Sequence, residues 1–384
     1  MAIEIPLKEE QVMLKKMARD FLAAESPKTF VRKMMADEVG YSPELWKKMA
    51  GLGWQGLVFP EEFGGSAMSF RDLTILCEEM GRAVLPGPFY STVILVGLPI
   101  LEFGTDAQKK EFLPKIANGD IVCTLAALEE SGDLYADDIH FKAKPRGAEY
   151  ILNGTKLFVT DAKATDYYLL AARTRRTENP EDGITLFMVG AKEWGVYVTN
   201  MTIMDQTRKQ YEVRFTNVPV SAKNIIGEVH KGWPILQQIA LKACAALSAE
   251  MVGVGETAME MTIDYLKNRQ AFGVVIGSFQ ALKHKAADMY VAMEYSRSLM
   301  EWASECVKEN DPDAAIAVAM AKANCGDAVK FVTDAGVQLH GGIGFTWDHD
   351  MHLYFKRGRY NDTAFGDGNY HKEWIARKLE TNIM

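Results

Sequence analysis

One carboxylate stands out because of its neighbours. Glu250 lies among Ala245, Ala246, Leu247, Ala249, Met251 and Val252, in a stretch with helical character. A carboxylate in such a setting is paired, protonated or used. Nineteen positions later comes R-x-x-F-G, made of Arg269, Phe272 and Gly273, and Gln280 opens the next helical stretch. A third group, Gln338-Leu-His-Gly-Gly-Ile-Gly-Phe-Thr346, ends a helix and enters a glycine loop. Glycines let a backbone approach a ligand closely and adopt positive φ. No strand precedes this loop and no βαβ unit surrounds it, so it is not a dinucleotide fingerprint of the Rossmann kind. Alone it reads as a helix C-cap and turn. On one helix, Glu250 and Arg269 would stand about 28 Å apart at 1.5 Å per residue. That spacing is awkward for two residues serving one bound molecule. It is natural if Arg269 serves the molecule held by a neighbouring copy of the chain.

The elements that must hold these groups change character twice. Residues 1–118 read as helices. The stretch 9–22 places Val12, Leu14, Met17, Phe21 and Leu22 at helical spacing. Ser42, Pro43 and Glu44 start a helix that Gly51 and Gly53 close, and Ser69 and Thr105 precede two more. Residues 119–225 hold β-rich runs at 121–128, 141–143, 150–152, 167–172, 184–189, 197–199 and 212–215. Turn signals such as Asn153-Gly154 and Asp182-Gly183 separate them. Short runs with no intervening helices predict a small sandwich or barrel. Over 226–384 the helices return, at 233–265, 278–308, 312–339 and from Tyr370 onward.

Composition narrows the function. With 384 residues, 48% apolar and 24% charged, the chain is long enough for two or three ordinary globular domains. A formal net charge of −8 argues against nucleic acid, which needs a basic surface. Five scattered cysteines, Cys77, Cys123, Cys244, Cys306 and Cys325, form no C-x-x-C and suit a reduced, cytoplasmic setting. The most apolar run, 89–103, is interrupted by Gly97 and Pro99 and is too short for a membrane span. The N-terminus lacks an apolar signal core. The seven histidines show no zinc-ligand spacing, and no metal is expected.

Together, R-x-x-F-G with Gln280 and the glycine loop resemble the flavin signature of the FAD-dependent acyl-CoA dehydrogenase family. PEEFGG and FGTDAQKKEFLPKIANGD resemble landmarks of its N-terminal domain, and the helix–β–helix order extends the likeness over nearly the whole chain. The resemblance implies an α+β multidomain fold with three parts: an N-terminal helical domain (1–118), a middle β-sandwich or barrel domain (119–225), and a C-terminal domain resembling a four-helix bundle (226–384). It implies that Arg269, Phe272, Gln280, Gln338 and Gly342 hold the adenine and pyrophosphate of FAD. Lys156-Leu-Phe-Val-Thr-Asp161 matches the family's K-x-W-I-T-N stretch. Phe158 would then pack on the flavin ring and Thr160 bond it, although alone the stretch reads as an ordinary strand. The family's T-E-P segment is Leu128-Glu129-Glu130 here, which leaves backbone contacts from Ala127, Leu128 and Glu129.

The implied reaction is α,β-dehydrogenation of an acyl-CoA thioester, with electrons passed to an electron-transfer flavoprotein. An α-carbon acid is weak, so a base tuned by desolvation and hydrogen bonds to the thioester oxygen are both needed. The family's commoner base position, in Y-E-G-T, reads Phe365-Gly366-Asp367-Gly368 here, so Gly366 stands where that glutamate would be. The other position, used by isovaleryl- and long-chain-type members on the helix before R-x-x-F-G, is filled by Glu250. Glu250 is therefore the expected base and Asp367 the alternative, with the Gly366 N–H as donor to the thioester oxygen. Met251 replaces an arginine of medium-chain members, and Arg208 either orients a loop near CoA or lies on the surface. The ending F-G-D-x-x-x-H resembles the subgroup that handles branched, cyclic or steroid-side-chain acyl groups. The family also implies a homotetramer or a heterotetramer. Two other functions fit the departures: a non-catalytic partner subunit of a heteromeric dehydrogenase, and an acyl-CoA oxidase.

Overall fold

The structure, a computed structural model, describes residues 6–383. Its elements run α1 (Glu9–Glu25), α2 (Lys28–Ala36), α3 (Pro43–Gly51), α4 (Phe70–Ala83), a π-helical stretch (Tyr90–Gly97), α5 (Leu98–Phe103) and α6 (Asp106–Ala117). Strands follow: β1 (Cys123–Ala126), β2 (Lys142–Arg146), β3 (Glu149–Thr160), β4 (Tyr167–Arg173), β5 (Ile184–Gly190), β6 (Val196–Asn200), β7 (Gln210–Ser221) and β8 (Ile225–Ile226). Then come α7 (Gly232–Asn268), a hairpin of β9 (Gln270–Ala271) and β10 (Val274–Val275), α8 (Gln280–Glu309), α9 (Ala314–His340), α10 (Met351–Thr363) and α11 (Gly368–Ile383). Helical N- and C-terminal parts thus flank a central β region in the sequence. The described residues form two compact units: one of residues 6–32, 69–85 and 244–383, the other of residues 33–68 and 86–243.

The helix starts follow their caps. Ser42 Oγ accepts from the Leu45 N–H, and Ser69 with Asp72 and Thr105 with Gln108 form reciprocal capping boxes. Three helical stretches lie outside the expected set: α2, α10 and the apolar run 89–103. α10 carries Lys356, Arg357 and Arg359 on a polar sequence, which hides its periodicity. The apolar run 89–103 is the π-helical stretch plus α5, whose residues are buried from Tyr90 to Ile100. α7 is long and apolar enough to cross a membrane, but 72% of its most apolar window is buried inside the protein, as in a core helix.

In the first unit, α4 crosses α7 at backbone contact distance. A Cβ at Gly81 would come within 2.2 Å of the Glu250 carbonyl oxygen, and one at Gly253 within 2.0 Å of the Glu78 carbonyl oxygen. Two glycines, one per helix, permit the approach. Charges in this interior are matched: Glu78, 2% exposed, accepts from Arg297 at 2.9 Å and from Lys15 at 2.8 Å.

In the second unit, the strands order β6-β7-β3-β2-β4-β5-β8, with β1 added parallel to β4. Phe141, Leu152, Tyr168, Phe187, Val213 and Phe215 are among the side chains of its core. The long β3–β7 pair shifts register twice, between Leu152 and Gly154 and between Lys156 and Val159. The first shift corrects an expectation: Asn153-Gly154 is a bulge inside β3, not a turn between strands. Gly154 is needed there because a Cβ would lie 2.6 Å from the Phe141 ring, and Asn153 Oδ1 accepts from the Asn217 N–H across the ladder.

The glycine crossing is testable. Gly253→Ala should cost about 1–3 kcal/mol, the usual cost of forcing extra atoms into a packed interior. Gly51→Ala, with nothing within 4 Å of the added methyl, should be close to neutral. Urea unfolding of both variants checks this, and equal midpoints would mean that the helices separate at no cost.

Candidate active site

α7 presents Glu250 to the interior, 4% exposed, between Ala249 and Met251, each at 0%. Its Oε1 accepts from Arg357 Nη1 at 2.7 Å, and Arg357 is itself at 0% exposure. Of the readings open to a buried carboxylate, the ion pair is present. Both terminal nitrogens of Arg357 also donate to the Leu85 carbonyl at 3.3 Å, just beyond the end of α4. Lys28 donates to the Ala83 carbonyl at 2.7 Å and the Tyr354 hydroxyl to the Arg82 carbonyl at 3.0 Å. Three donors therefore close the last turn of α4, where the helix dipole favours positive charge.

The loop with Phe365, Gly366 and Asp367 lies along the same helix. Cys244, six residues before Glu250 and so about 9 Å along the axis, directs its Sγ to the Phe365 carbonyl at 3.7 Å. Phe365 and Gly366 both have positive φ, 59° and 97°. The Gly366 N–H donates to the Thr363 carbonyl at 3.2 Å, so the donor expected for a thioester oxygen is engaged within its own turn. Asp367 Oδ1 accepts from the Tyr370 N–H at 2.9 Å, which is the work of a cap for α11. Lys322, at 0% exposure, donates to the Asp362 carbonyl at 2.7 Å and the Gly366 carbonyl at 2.8 Å. Burial pushes this amine below its ordinary range. An N–H donor on the Gly366 oxygen polarises the peptide unit whose N–H belongs to Asp367, and so strengthens that N–H as a donor.

At the other end of α7, R-x-x-F-G forms the tip of the β9–β10 hairpin. Phe272 and Gly273 take φ of 57° and 77°, the two positive values of a type I′ turn. Phe272 is 92% exposed, and Arg269 and Gln280 are exposed beside it in sequence. The glycine loop reaches the same end. His340, buried, packs tilted against the Tyr265 ring with centroids 4.6 Å apart, and the Arg269 N–H donates to the Tyr265 carbonyl. Gln338 and Gly342 are exposed, and nothing lies within 4 Å of a Cβ built on Gly341 or Gly342. A guanidinium, two amides and an open glycine backbone are the donor set for a nucleotide pyrophosphate. These residues fit the adenine and phosphate part of FAD. Glu250 and Arg269 lie on one unbroken helix and its first residue beyond, so they do not meet within a chain.

The second unit brings together the other expected contacts. The Leu157 N–H donates to the Leu128 carbonyl at 3.0 Å, so 127–129 runs beside the bulge that holds Phe158. Phe158 has φ 54°, rare for a bulky side chain. Thr160 is 6% exposed, and its carbonyl accepts from Thr124 Oγ1 at 2.6 Å. The Glu129 carboxylate binds the N–H groups of His140 and Phe141 at 3.0 Å and Lys156 Nζ at 2.7 Å, so its side chain serves the protein itself. Lys156 also donates to the Ala127 carbonyl at 2.8 Å, and burial lowers its amine to about 8. Arg208 is 5% exposed, over the Tyr90 ring at 5.0 Å, and not on the surface.

The contacts of three buried cations were not expected: Lys156, which opens the K-x-W-I-T-N match, Lys322 and Arg357. Lys322 had the same signal as Glu250, a lone charge in an alanine-rich helix. Arg357 had none, because Lys356 and Arg359 beside it look like a solvated face.

Models of the acyl-CoA dehydrogenase N-terminal, middle and C-terminal domains match residues 8–120, 129–218 and 230–380. An acyl-CoA dehydrogenase of Bacillus subtilis is 30% identical over 97% of this chain and 98% of its own. Butyryl-CoA dehydrogenase of Megasphaera elsdenii superimposes with a TM-score of 0.91 at 26% identity, over 98% of this chain and 100% of that one. A chain from a structure of the electron transferring flavoprotein of Acidaminococcus fermentans gives 0.91 at 28%, over 98% and 99%.

The loop makes one pH prediction. His371, beside Cys244 and the Phe365–Gly366 turn, is pushed down to about 4 by burial and then by Lys322. The unfolded side chain titrates near 6.5. Between those values the unfolded chain binds more protons, so stability falls as pH drops from about 6.5 to 4, by on the order of 3 kcal/mol. His371→Gln should lose less stability than the parent between pH 7.5 and 4.5, measured by urea unfolding. Identical losses would show that the imidazole titrates in the fold as it does in the unfolded chain.

Proposed function

The chain belongs to the acyl-CoA dehydrogenase family, and we propose that it oxidises an acyl-CoA thioester to the 2-enoyl-CoA with Glu250 as the base. Glu250 takes the α proton, and the β hydrogen leaves with its electron pair. FAD, when bound, supplies the hydride acceptor at its N5. Phe158 and the backbone of Ala127, Leu128 and Glu129 support the flavin ring, with Thr160 as a hydrogen-bonding partner. Arg269, Phe272, Gln280, Gln338 and Gly342 hold the nucleotide end. Lys322 keeps the Phe365–Asp367 loop in place, and on thioester binding the Gly366 N–H exchanges the Thr363 carbonyl for the thioester oxygen. The observation that carries this reading is the buried Glu250 carboxylate on α7, within two helical turns of that loop, while Asp367 is occupied as a helix cap.

The relative from a flavoprotein structure supports an electron-transfer flavoprotein as the acceptor. The ending F-G-D-x-x-x-H favours a branched or cyclic acyl group. The separation along α7, with Phe272 and Phe345 exposed at the Arg269 end, favours FAD held jointly by two copies in a homotetramer or a heterotetramer. The Glu250–Arg357 pair favours one second reading, a non-catalytic partner subunit in which the carboxylate is only structural.

One experiment separates the two. Glu250→Gln keeps size and hydrogen bonding but removes basicity, and should slow anaerobic flavin reduction by an acyl-CoA on the order of 10²–10⁴-fold. Asp367→Asn should reduce at nearly the parent rate. The reverse pattern moves the base to Asp367. Unchanged rates in both end the acid–base scheme, and a parent that binds thioester without reduction supports the partner subunit. Arg269→Ala should weaken FAD retention through loss of a charged hydrogen bond worth about 1.5–3 kcal/mol. Full flavin occupancy after dilution and gel filtration would remove Arg269 from the site.

A further inference from the structure

Arg357 is held at two points. Its Nη1 donates to Glu250 Oε1 at 2.7 Å, and Nη1 and Nη2 both reach the Leu85 carbonyl at 3.3 Å. Several other charges on the elements around Glu250 have partners of their own. On α4, Glu78 meets Lys15 and Arg297, Glu79 meets Arg19 at 2.7 Å, and Arg82 meets Glu256 at 3.2 Å and Glu260 at 2.5 Å. On α7, Glu256 also meets Arg297. On α2, Lys28 is spent on the carbonyls of Arg82 and Ala83. On α10, Arg359 turns to Asp334 at 2.7 Å. The guanidinium of Arg357 is a cation that the fold delivers to the Glu250 carboxylate at 2.7 Å, and it is anchored from behind by a carbonyl that cannot titrate.

We propose that Arg357 is a positioning residue that keeps Glu250 ionised and correctly turned, and so sets the pH above which the α proton can be taken. The inference rests on the reading of Glu250 as the base. An opposite charge in contact favours the ionised carboxylate, and the effect is large where water is excluded. Arginine stays charged at every pH in which the protein folds. When Glu250 accepts the proton, its O–H bond forms as the substrate C–H bond breaks. Negative charge then passes toward the thioester oxygen while the fixed cation stays in place. A fixed counter-charge needs no reorganisation during the step. The second hold, on Leu85, keeps the guanidinium from following the carboxylate.

The test uses the FAD-loaded protein, anaerobic flavin reduction by butyryl-CoA across pH, and infrared difference spectra of protonated carboxyl groups. The band that disappears in Glu250→Gln is assigned to Glu250. In Arg357→Met the acid limb of the reduction rate and the Glu250 band should both move to higher pH, by about 1–3 pH units. Arg357→Lys keeps the charge but not the two-point hold, so its acid limb should stay near that of the parent while its plateau rate falls. It also stands in if Arg357→Met does not fold. An unmoved Glu250 band and limb in Arg357→Met, or a Lys variant equal to the parent in limb and plateau, overturns the proposal. Normal reduction by Glu250→Gln overturns instead the assignment of the base. In that case the infrared titration still decides whether Arg357 holds Glu250 ionised.

Discussion

A carboxylate and a guanidinium, both shut off from water, meet at 2.7 Å between α7 and α10. Desolvating each ion costs several kcal/mol, and their attraction repays it only when the geometry is good and the remaining donors are satisfied. That condition reaches beyond the pair. Arg357 needs the Leu85 carbonyl, so α4 must end where it does, with Val84 in the left-handed region at φ 51°. Glu250 must face α10, so α7 must cross α4 at one angle and depth, which Gly81 and Gly253 permit. Three helices are thus indexed against one another by an interaction that would be a poor choice for stability alone.

Backbone strain marks the same sites. Phe158, Phe272 and Phe365 all take positive φ, an arrangement that costs on the order of 1–3 kcal/mol each for a bulky residue. One sits in the bulge beside 127–129, one at the tip of R-x-x-F-G, and one next to Gly366. Folding alone has little use for a phenylalanine 92% exposed in a strained turn, as Phe272 is. Such conformations persist when the position of the ring matters more than its comfort.

Much of this was legible in the sequence, for physical reasons. The capped helices after Ser42, Ser69 and Thr105 follow from local hydrogen bonds, which depend on residues three apart. Glu250 was visible because a charge contrasts with an apolar run. Asn153-Gly154 misled because turn chemistry also serves a bulge, and only the facing Phe141 ring tells the two apart. α10 was hidden because the buried side of Arg357 comes from tertiary contacts with Leu85 and Glu250 that no local window contains. The occupied Gly366 N–H and the capping role of Asp367 depend likewise on atoms placed by the turn itself.

The crossing of α4 and α7 has a consequence for how such a protein can vary. Where two main chains touch, no rotamers are available to absorb change, so the height and tilt of the Glu250 backbone are set by hard contact between peptide groups. Exposed side chains away from that crossing can be exchanged without shifting that reference point. The fold therefore separates what must stay registered from what can drift. The side chains around it can change over generations while the Glu250 carboxylate remains in the same place.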